Sequence, residues 1–348
     1  MRSMFARLSR RYGPKLLGAE RQRLVKDKLE SLAPLPSPEQ PARLQASAAL
    51  SKRLPQVAII GGGLAGLMAG YSLVGRCSVT LFEARDRFGG RVFSKPRANG
   101  IVEAGGELIG YNHPLWLKLA KQFELGLSVI TSDTNFDALD LDMPLYVDGK
   151  KLTDREMEHI YTEMNEAFAR MSQRAALIDP VRPWEAKNAA KLDDRTLSDW
   201  IARLDCEDLT KLAMEEQFSN DAGQPTSKQS YLANLTVVAG GRLKDQPDAF
   251  FTQTETLRCA EGNDALAKRL AWEIGQAGGD LRLCKPVNAV TLDDEGVSLD
   301  FGEGGGKPFT ADYVILAIPP SLWPAASHPK IAISPALPTD YYVSMGVA

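Results

Sequence analysis

An α/β fold, a parallel-sheet domain interrupted by a mostly helical insertion, is what this sequence predicts, and three observations carry it. A strand–helix–strand pattern with glycines at fixed places runs from Val57 to Arg91. The stretch from about 127 to 255 shows helical apolar spacing and no period-2 alternation. Short apolar runs then return, ending in Val314-Ile-Leu-Ala-Ile318, which reads as a buried strand stopped by Pro319 and Pro320.

The first pattern is the most specific. The apolar run Val57 to Ile60 leads straight into Gly61-x-Gly63-x-x-Gly66, which opens a helix-like segment from Leu64 to Leu73. A second apolar run (Val79, Leu81, Phe82) ends at Glu83, twenty residues past Gly63. This order is that of a dinucleotide-binding unit. Gly61 allows the tight turn, Gly63 lets a pyrophosphate approach the backbone, and Gly66 lets helix and strand pack closely. The helix start, with Leu64 and Ala65, turns its N–H groups toward the phosphates. Glu83, with Ala84 beside it, is placed to accept both hydroxyls of an adenosine ribose. A bare glycine match would be weak; strand, glycines, helix, strand and acid in sequence are not.

The stretch Arg85-x-Arg87-x-Gly89-Gly90-Arg91 follows at once. Gly89 and Gly90 let backbone crowd a flat or phosphorylated ligand, and Arg85 and Arg91 put guanidinium forks beside it. With GGGLAGL, FEARDRFGGRV, VEAGGELIG at 102–110, RCAEGN at 258–263 and ADYVILAIPPSLW at 311–323, the chain from about Gln56 onward resembles the flavin-containing amine oxidase family of monoamine, polyamine and L-amino acid oxidases. The resemblance implies a Rossmann-like FAD-binding domain of the GR2 type, with FAD and not NAD(P) as cofactor. It implies that Gly105 and Gly106 pass close to the isoalloxazine, with Glu107 and Leu108 next to them, and that the Val287 backbone meets the adenine.

The chemistry implied is hydride transfer to flavin N5 from the carbon of an amine or L-amino acid, then imine hydrolysis and reduction of O₂ to H₂O₂. Such a site needs no acid–base triad, and no catalytic residue is assigned. L-amino acid oxidases of the family carry an arginine shortly after the glycine pair. Leu108 stands there in this chain, which speaks against that carboxylate clamp. Glu107 reads either as a contact for a substrate ammonium or as a structural hydrogen-bonding residue. Phe250 and Phe251 read as substrate-pocket lining or as aromatic core. His113 reads as a helix-start residue, with Asn112 as N-cap, and Glu261-Gly-Asn263 as a helix cap. Same-fold alternatives are a desaturase- or protoporphyrinogen-oxidase-like enzyme, which the charged insertion disfavours, and a truncated non-catalytic FAD-binding remnant or one chain of a two-chain enzyme, either of which would leave this chain alone inactive.

Composition bounds the rest. At 348 residues and net charge −3, the chain holds two domains and gives no reason to expect nucleic acid. Cys77, Cys206, Cys259 and Cys284 form no C-x-x-C pair and read as reduced, mostly buried thiols; no metal site is expected. No apolar run approaches membrane-spanning length. Ser9-Arg10-Arg11 is similar to a twin-arginine export signal, but charged residues follow where an apolar region should be, so a cytoplasmic location is expected.

The domain reading is a basic helical arm and proline linker (1–54), cofactor domain (55–112), helical substrate domain (113–255), cofactor domain again (256–323), and the start of a second substrate-domain segment (324–348). The arm is expected either to lie on the cofactor domain or to be mobile. The chain is expected to lack the family's C-terminal part, so a complementary C-terminal chain or a homodimer is the expected partner.

Overall fold

The computed structural model describes residues 3–13, 23, 26–27, 29–32, 53–129, 144–242, 250–322 and 331–338. The proline linker and most of the tail beyond 323 lie outside these residues. The principal elements run α1 (Met4–Tyr12), β1 (Gln56–Ile60), α2 (Leu64–Leu73), β2 (Ser78–Phe82), β3 (Ser94–Arg97), β4 (Gly100–Glu103), α3 (Pro114–Gln122), α4 (Asp154–Ala175) and α5 (Asp208–Ala222). They continue with α6 (Tyr231–Gly240), α7 (Phe250–Gln253), α8 (Ala265–Gln276), β5 (Asp280–Arg282), β6 (Ala289–Asp293), β7 (Gly296–Asp300), β8 (Phe309–Ala311), β9 (Tyr313–Leu316) and β10 (Ala332–Ser334). Two compact units form. One holds Met1–Ala33, Leu108–Lys121 and Leu127–Arg258; the other holds Pro34–Glu107, Gln122–Gly126 and Cys259–Ala348.

The first unit is helical. Its longest helix, α4, starts at a capping box: Thr153 Oγ1 accepts from Glu156 N, and Glu156 returns a bond to the Thr153 N–H. Met157, Ile160, Met164, Ala167, Phe168, Met171 and Ala175 follow at helical spacing and are all buried. The same core takes Phe5 and Leu8 of α1. The N-terminal segment is thus helical as expected, but its place corrects the expectation. It is neither a mobile arm nor a helix on the cofactor unit, because its apolar stripe is spent in the helical core.

The second unit is a four-stranded parallel sheet in the order β9-β1-β2-β5. Its two faces are used differently. Ile59 points to the helical side, where a Cβ on Gly70 would lie 3.0 Å from Ile274 of α8, so Gly70 lets α2 and α8 pack closely. Ala58 and Ile60 point the other way, into a core shared with Val290, Leu299 and Ile333 of a second sheet and with Phe301 just past one of its strands. That sheet pairs β8-β7-β6 antiparallel and adds β10 parallel to β6.

The run Val314-Ile-Leu is only half-buried and not a buried strand. Among the described residues β9 pairs on one side alone, with β1. The thiols also depart from expectation: Cys259 is buried, Cys77 and Cys206 are half-buried, and Cys284 is exposed.

Candidate cofactor site

The glycine turn links β1 to α2, and its glycines differ in what they do. Gly61 has φ +110°, and a Cβ there would sit 2.5 Å from the Ala317 carbonyl oxygen. A Cβ on Gly66 would lie 1.9 Å from the Gly61 oxygen. Both are dictated by the protein's own packing. Gly63 is different. Its φ is −75° and a Cβ would meet nothing nearer than Gly90 Cα at 3.9 Å, so nothing among the described residues requires a glycine there. Gly63 is also the N-cap of α2, which has no side-chain cap and no acidic residue in its first turn. An open cradle in front of uncapped N–H groups, including those at Leu64 and Ala65, is what an anion needs. The residues present fit a pyrophosphate.

Glu83 is buried at the end of β2. Its Oε2 accepts from Gly62 N at 2.7 Å and its Oε1 from Arg85 N at 2.9 Å. Each carboxylate oxygen keeps a further lone pair, so the group is fixed in direction yet able to take two hydroxyls. Its backbone is held on one side too, since Glu83 N donates to Arg282 O and Lys285 N to Glu83 O.

The segment after Glu83 folds over the glycine turn. Gly89 N donates to Gly62 O at 2.8 Å, and Gly90 has φ +57°. Arg87, which carried no role in the sequence reading, organises this loop. Its guanidinium donates to Val92 O at 3.1 Å and Gly90 O at 3.0 Å, and stacks 4.0 Å over the Phe93 ring. Arg85 and Arg91, read as ligand forks, are exposed, as is Ala84.

The Gly105–Gly106 pair lies beside this loop. Gly106 N donates to Arg91 O at 2.8 Å. A Cβ on Gly105 would stand 2.2 Å from that same oxygen, so the protein's own packing requires this glycine. Gly106 has only ordinary neighbours, with Val92 Cγ1 nearest at 3.4 Å, and both glycines are exposed.

A buried polar brace fixes the pair from behind. Asn263 Nδ2 donates to Gly106 O at 2.9 Å and to Glu107 O at 2.8 Å, while its Oδ1 accepts from Cys259 N at 2.9 Å. Glu103 accepts from Asn263 N and from Ser94 Oγ. Asp264 accepts from Ser94 N and pairs with Lys268. The expected cap is therefore corrected. Asp264, not Asn263, is the N-cap of α8, and it makes no side-chain cap bond because its carboxylate serves the brace. Next to it, burial followed by the hydrogen bond to Glu261 pushes the Cys259 thiol up to about 12.

The remaining candidates separate. Glu107 is half-buried in this unit, with its carbonyl in the brace. Val287 is 5% exposed, in the core between the sheets. Leu108 falls in the helical unit and is half-buried. Phe251 is core: its ring stacks on Phe168 at 4.1 Å and 12°. Phe250 meets Phe251 edge-on and packs on the same cluster. Phe251 thus takes the core alternative, while Phe250 is half-buried at the edge of the same cluster. Asn112 does not cap α3, since its Oδ1 finds no partner. His113 does sit at that helix start. Its Nδ1 accepts from Gly110 N, and burial lowers its pKa.

A family model described as flavin containing amine oxidoreductase matches residues 64–344. The chain belongs to this family. Its cofactor is FAD, in keeping with the open cradle at Gly63 and the fixed carboxylate of Glu83.

Among curated members of the family, the flavin-containing amine oxidase A of Equus caballus is 27% identical over 85% of this chain and 54% of its own length. The putrescine oxidase of Kocuria rosea is 27% identical over 81% of this chain and 59% of its own. Solved structures of a putrescine oxidase variant and of cyclohexylamine oxidase from Brevibacterium oxydans share the fold. Both have a TM-score of 0.65 and 21% identity, over 84% of this chain and 63% of theirs. The chain thus spans between half and two thirds of the length of these family members.

Proposed function

We propose that this chain serves in the flavin-dependent oxidation of the C–N bond of an amine, with imine hydrolysis and formation of H₂O₂ from O₂. The observation that carries the reading is Gly63, a glycine which no atom of the described residues explains, within a chain of the amine oxidoreductase family. When bound, FAD supplies the hydride acceptor and the route to O₂.

The chain's own residues bind and orient. The α2 N-terminus and Gly63 receive the pyrophosphate, Glu83 fixes the ribose, and the Asn263 brace holds the Gly106–Glu107 backbone in one conformation. Two features favour an amine over an L-amino acid. The family members named above act on amines by their names. Leu108 stands where a carboxylate-clamping arginine is the alternative. A cytoplasmic location belongs to the same reading, supported by Arg10 and Arg11 lying in a helix whose apolar side is buried.

The test is H₂O₂ release by the purified, FAD-loaded chain on a panel of monoamines, diamines and L-amino acids. Turnover of amines with none of amino acids is expected. FAD binding without turnover on any amine would refute the catalytic part.

A further inference from the structure

We propose that Lys285 is a positioning residue for the adenosine half of FAD. It ties the backbone of the ribose acid Glu83 to the glycine turn between β7 and β8. The inference rests on FAD binding at Glu83 and not on turnover.

The segment that carries Lys285 runs past the end of β5 alongside Glu83. Glu83 N donates to Arg282 O at 2.9 Å, and Lys285 N donates back to Glu83 O at 2.8 Å. Between them, Cys284 N donates to Arg85 O at 2.9 Å. Two consecutive N–H groups thus reach one short stretch, 83–85. In a regular parallel strand successive N–H groups point to opposite sides, so a kink is required. Cys284 supplies it with φ +53°, in the left-handed region that a residue with a side chain adopts at a cost. Such a conformation persists only where its surroundings hold it.

The Lys285 side chain does the holding. Its Nζ donates to Gly305 O and lies 4.6 Å over the Phe301 ring. Phe301 is 4% exposed and sits 5.2 Å from the ring of Phe82, the residue before Glu83. One residue therefore grips the ribose acid twice. Its main chain does so directly, and its side chain by way of Phe301 and Phe82.

The turn at the far end needs a partner of this kind. Gly302, Gly304 and Gly306 have φ of +70°, +77° and +89°. A stretch so rich in glycine loses much conformational freedom on ordering. Within it Gly305 N donates to Gly302 O at 3.0 Å, and Gly302 N to Asp300 Oδ2 at 2.9 Å. A charged donor on Gly305 O adds a bond stronger than a neutral one. Lys285 is half-buried, with its ammonium engaged by a carbonyl and a ring. Its task is accordingly to place backbone and not to meet a phosphate. Adenine is bonded directly to the ribose, so the segment beside Glu83 borders the base. A shift of residues 284–286 would move the acid and the wall next to it together.

Isothermal titration of the full apo chain with FAD, and separately with ADP, tests this. The chains are wild type, Lys285→Met and Lys285→Arg, each alone and combined with Glu83→Gln. Lys285→Met should weaken both ligands about tenfold. Lys285→Arg still donates to Gly305 O and covers Phe301, and should stay within about threefold of wild type. On top of Glu83→Gln, Lys285→Met should cost less than about a further threefold, since both residues act through one contact. Wild-type affinity in Lys285→Met would overturn the proposal. So would a full tenfold loss in the Glu83→Gln background, which marks general support of the scaffold. A loss for FAD with none for ADP would also overturn it, by placing the effect at the flavin end. Where Lys285→Met fails to accumulate, Phe301→Leu probes the same link, and wild-type ADP affinity in that variant would count equally against it. A chain that binds FAD but oxidises no amine would refute the catalytic reading and leave this one standing.

Discussion

Gly90 faces Gly63 across the cofactor turn so closely that a Cβ on Gly90 would lie 3.1 Å from Gly63 Cα, whereas a Cβ on Gly63 would clear Gly90 Cα by 3.9 Å. The asymmetry separates glycines the fold needs from one the ligand needs. Gly63→Ala should leave stability within about 1 kcal/mol, the scale of an N-cap change, yet abolish stable FAD binding, and Gly63→Val more so. Gly66→Ala drives a methyl into the Gly61 carbonyl and should cost on the order of 3 kcal/mol or more. Urea unfolding of the apo chain and the 450 nm flavin absorbance read the two effects apart. A Gly63→Val protein with wild-type flavin content would overturn the pyrophosphate assignment.

Asn263 supplies three hydrogen bonds from a side chain that is 2% exposed. Asn263→Ala should cost about 3 kcal/mol, at roughly 1 kcal/mol per net bond. Asn263→Asp should be worse, because it turns an acceptor toward the Gly106 and Glu107 carbonyls. Denaturant titration ranks the two. An Asp variant more stable than the Ala variant would show that the brace relaxes around the change.

The cofactor turn was legible because its parts are local. Gly61, Gly63, Gly66 and Glu83 lie within one strand–helix–strand unit, where spacing alone specifies geometry. The brace was not legible. Ser94 and Asp264 are 170 positions apart, and only the folded unit brings them together. The helix α1 was readable as amphipathic, but its seat was not. Apolar burial is non-directional, so Phe5 announces that it will be covered without saying that Phe168 and Phe251 will cover it. Phe250 and Phe251 show the same limit. An aromatic pair suits a tunnel wall or a core equally well until its neighbours are known.

The carboxyl of Asp221 is pushed up to about 6, first by burial and then by the neighbouring Glu255. A folded-state value above the unfolded one of 3.8 means that the folded chain binds the extra proton. The group is therefore neutral to stability below its unfolded value. It destabilises progressively as pH rises from there to about 6, and fully above. Asp221→Asn should raise the thermal midpoint at pH 8 and change it little at pH 4. Asp221 itself is exposed to solvent, which screens much of the effect, so the sign of the pH dependence and not its size is the readout. A variant less stable than wild type at pH 8 would contradict the assigned environment.

Arg87 holds the loop over the glycine turn by geometry that lysine lacks. Its planar fork reaches three carbonyls at once, Val92 O, Gly90 O and, at a longer distance, Phe88 O, while the same plane covers the Phe93 ring. Lysine keeps the charge but not the fork, and its ammonium can serve one carbonyl while leaving the ring. Arg87→Lys should loosen residues 88–92 without unfolding the unit, since the buried sheet core lies elsewhere. Gly90 would then no longer be pinned opposite Gly63, and the cradle would have to be ordered at the moment of binding. The expected result is a loss of about tenfold in FAD affinity, near 1.4 kcal/mol, with the thermal midpoint of the apo chain close to wild type. Titration of apo chain with FAD, followed by flavin fluorescence quenching, measures the first and a melt the second. Arg87→Lys with wild-type FAD affinity would show that the Gly89–Gly62 hydrogen bond positions the loop without help from the guanidinium.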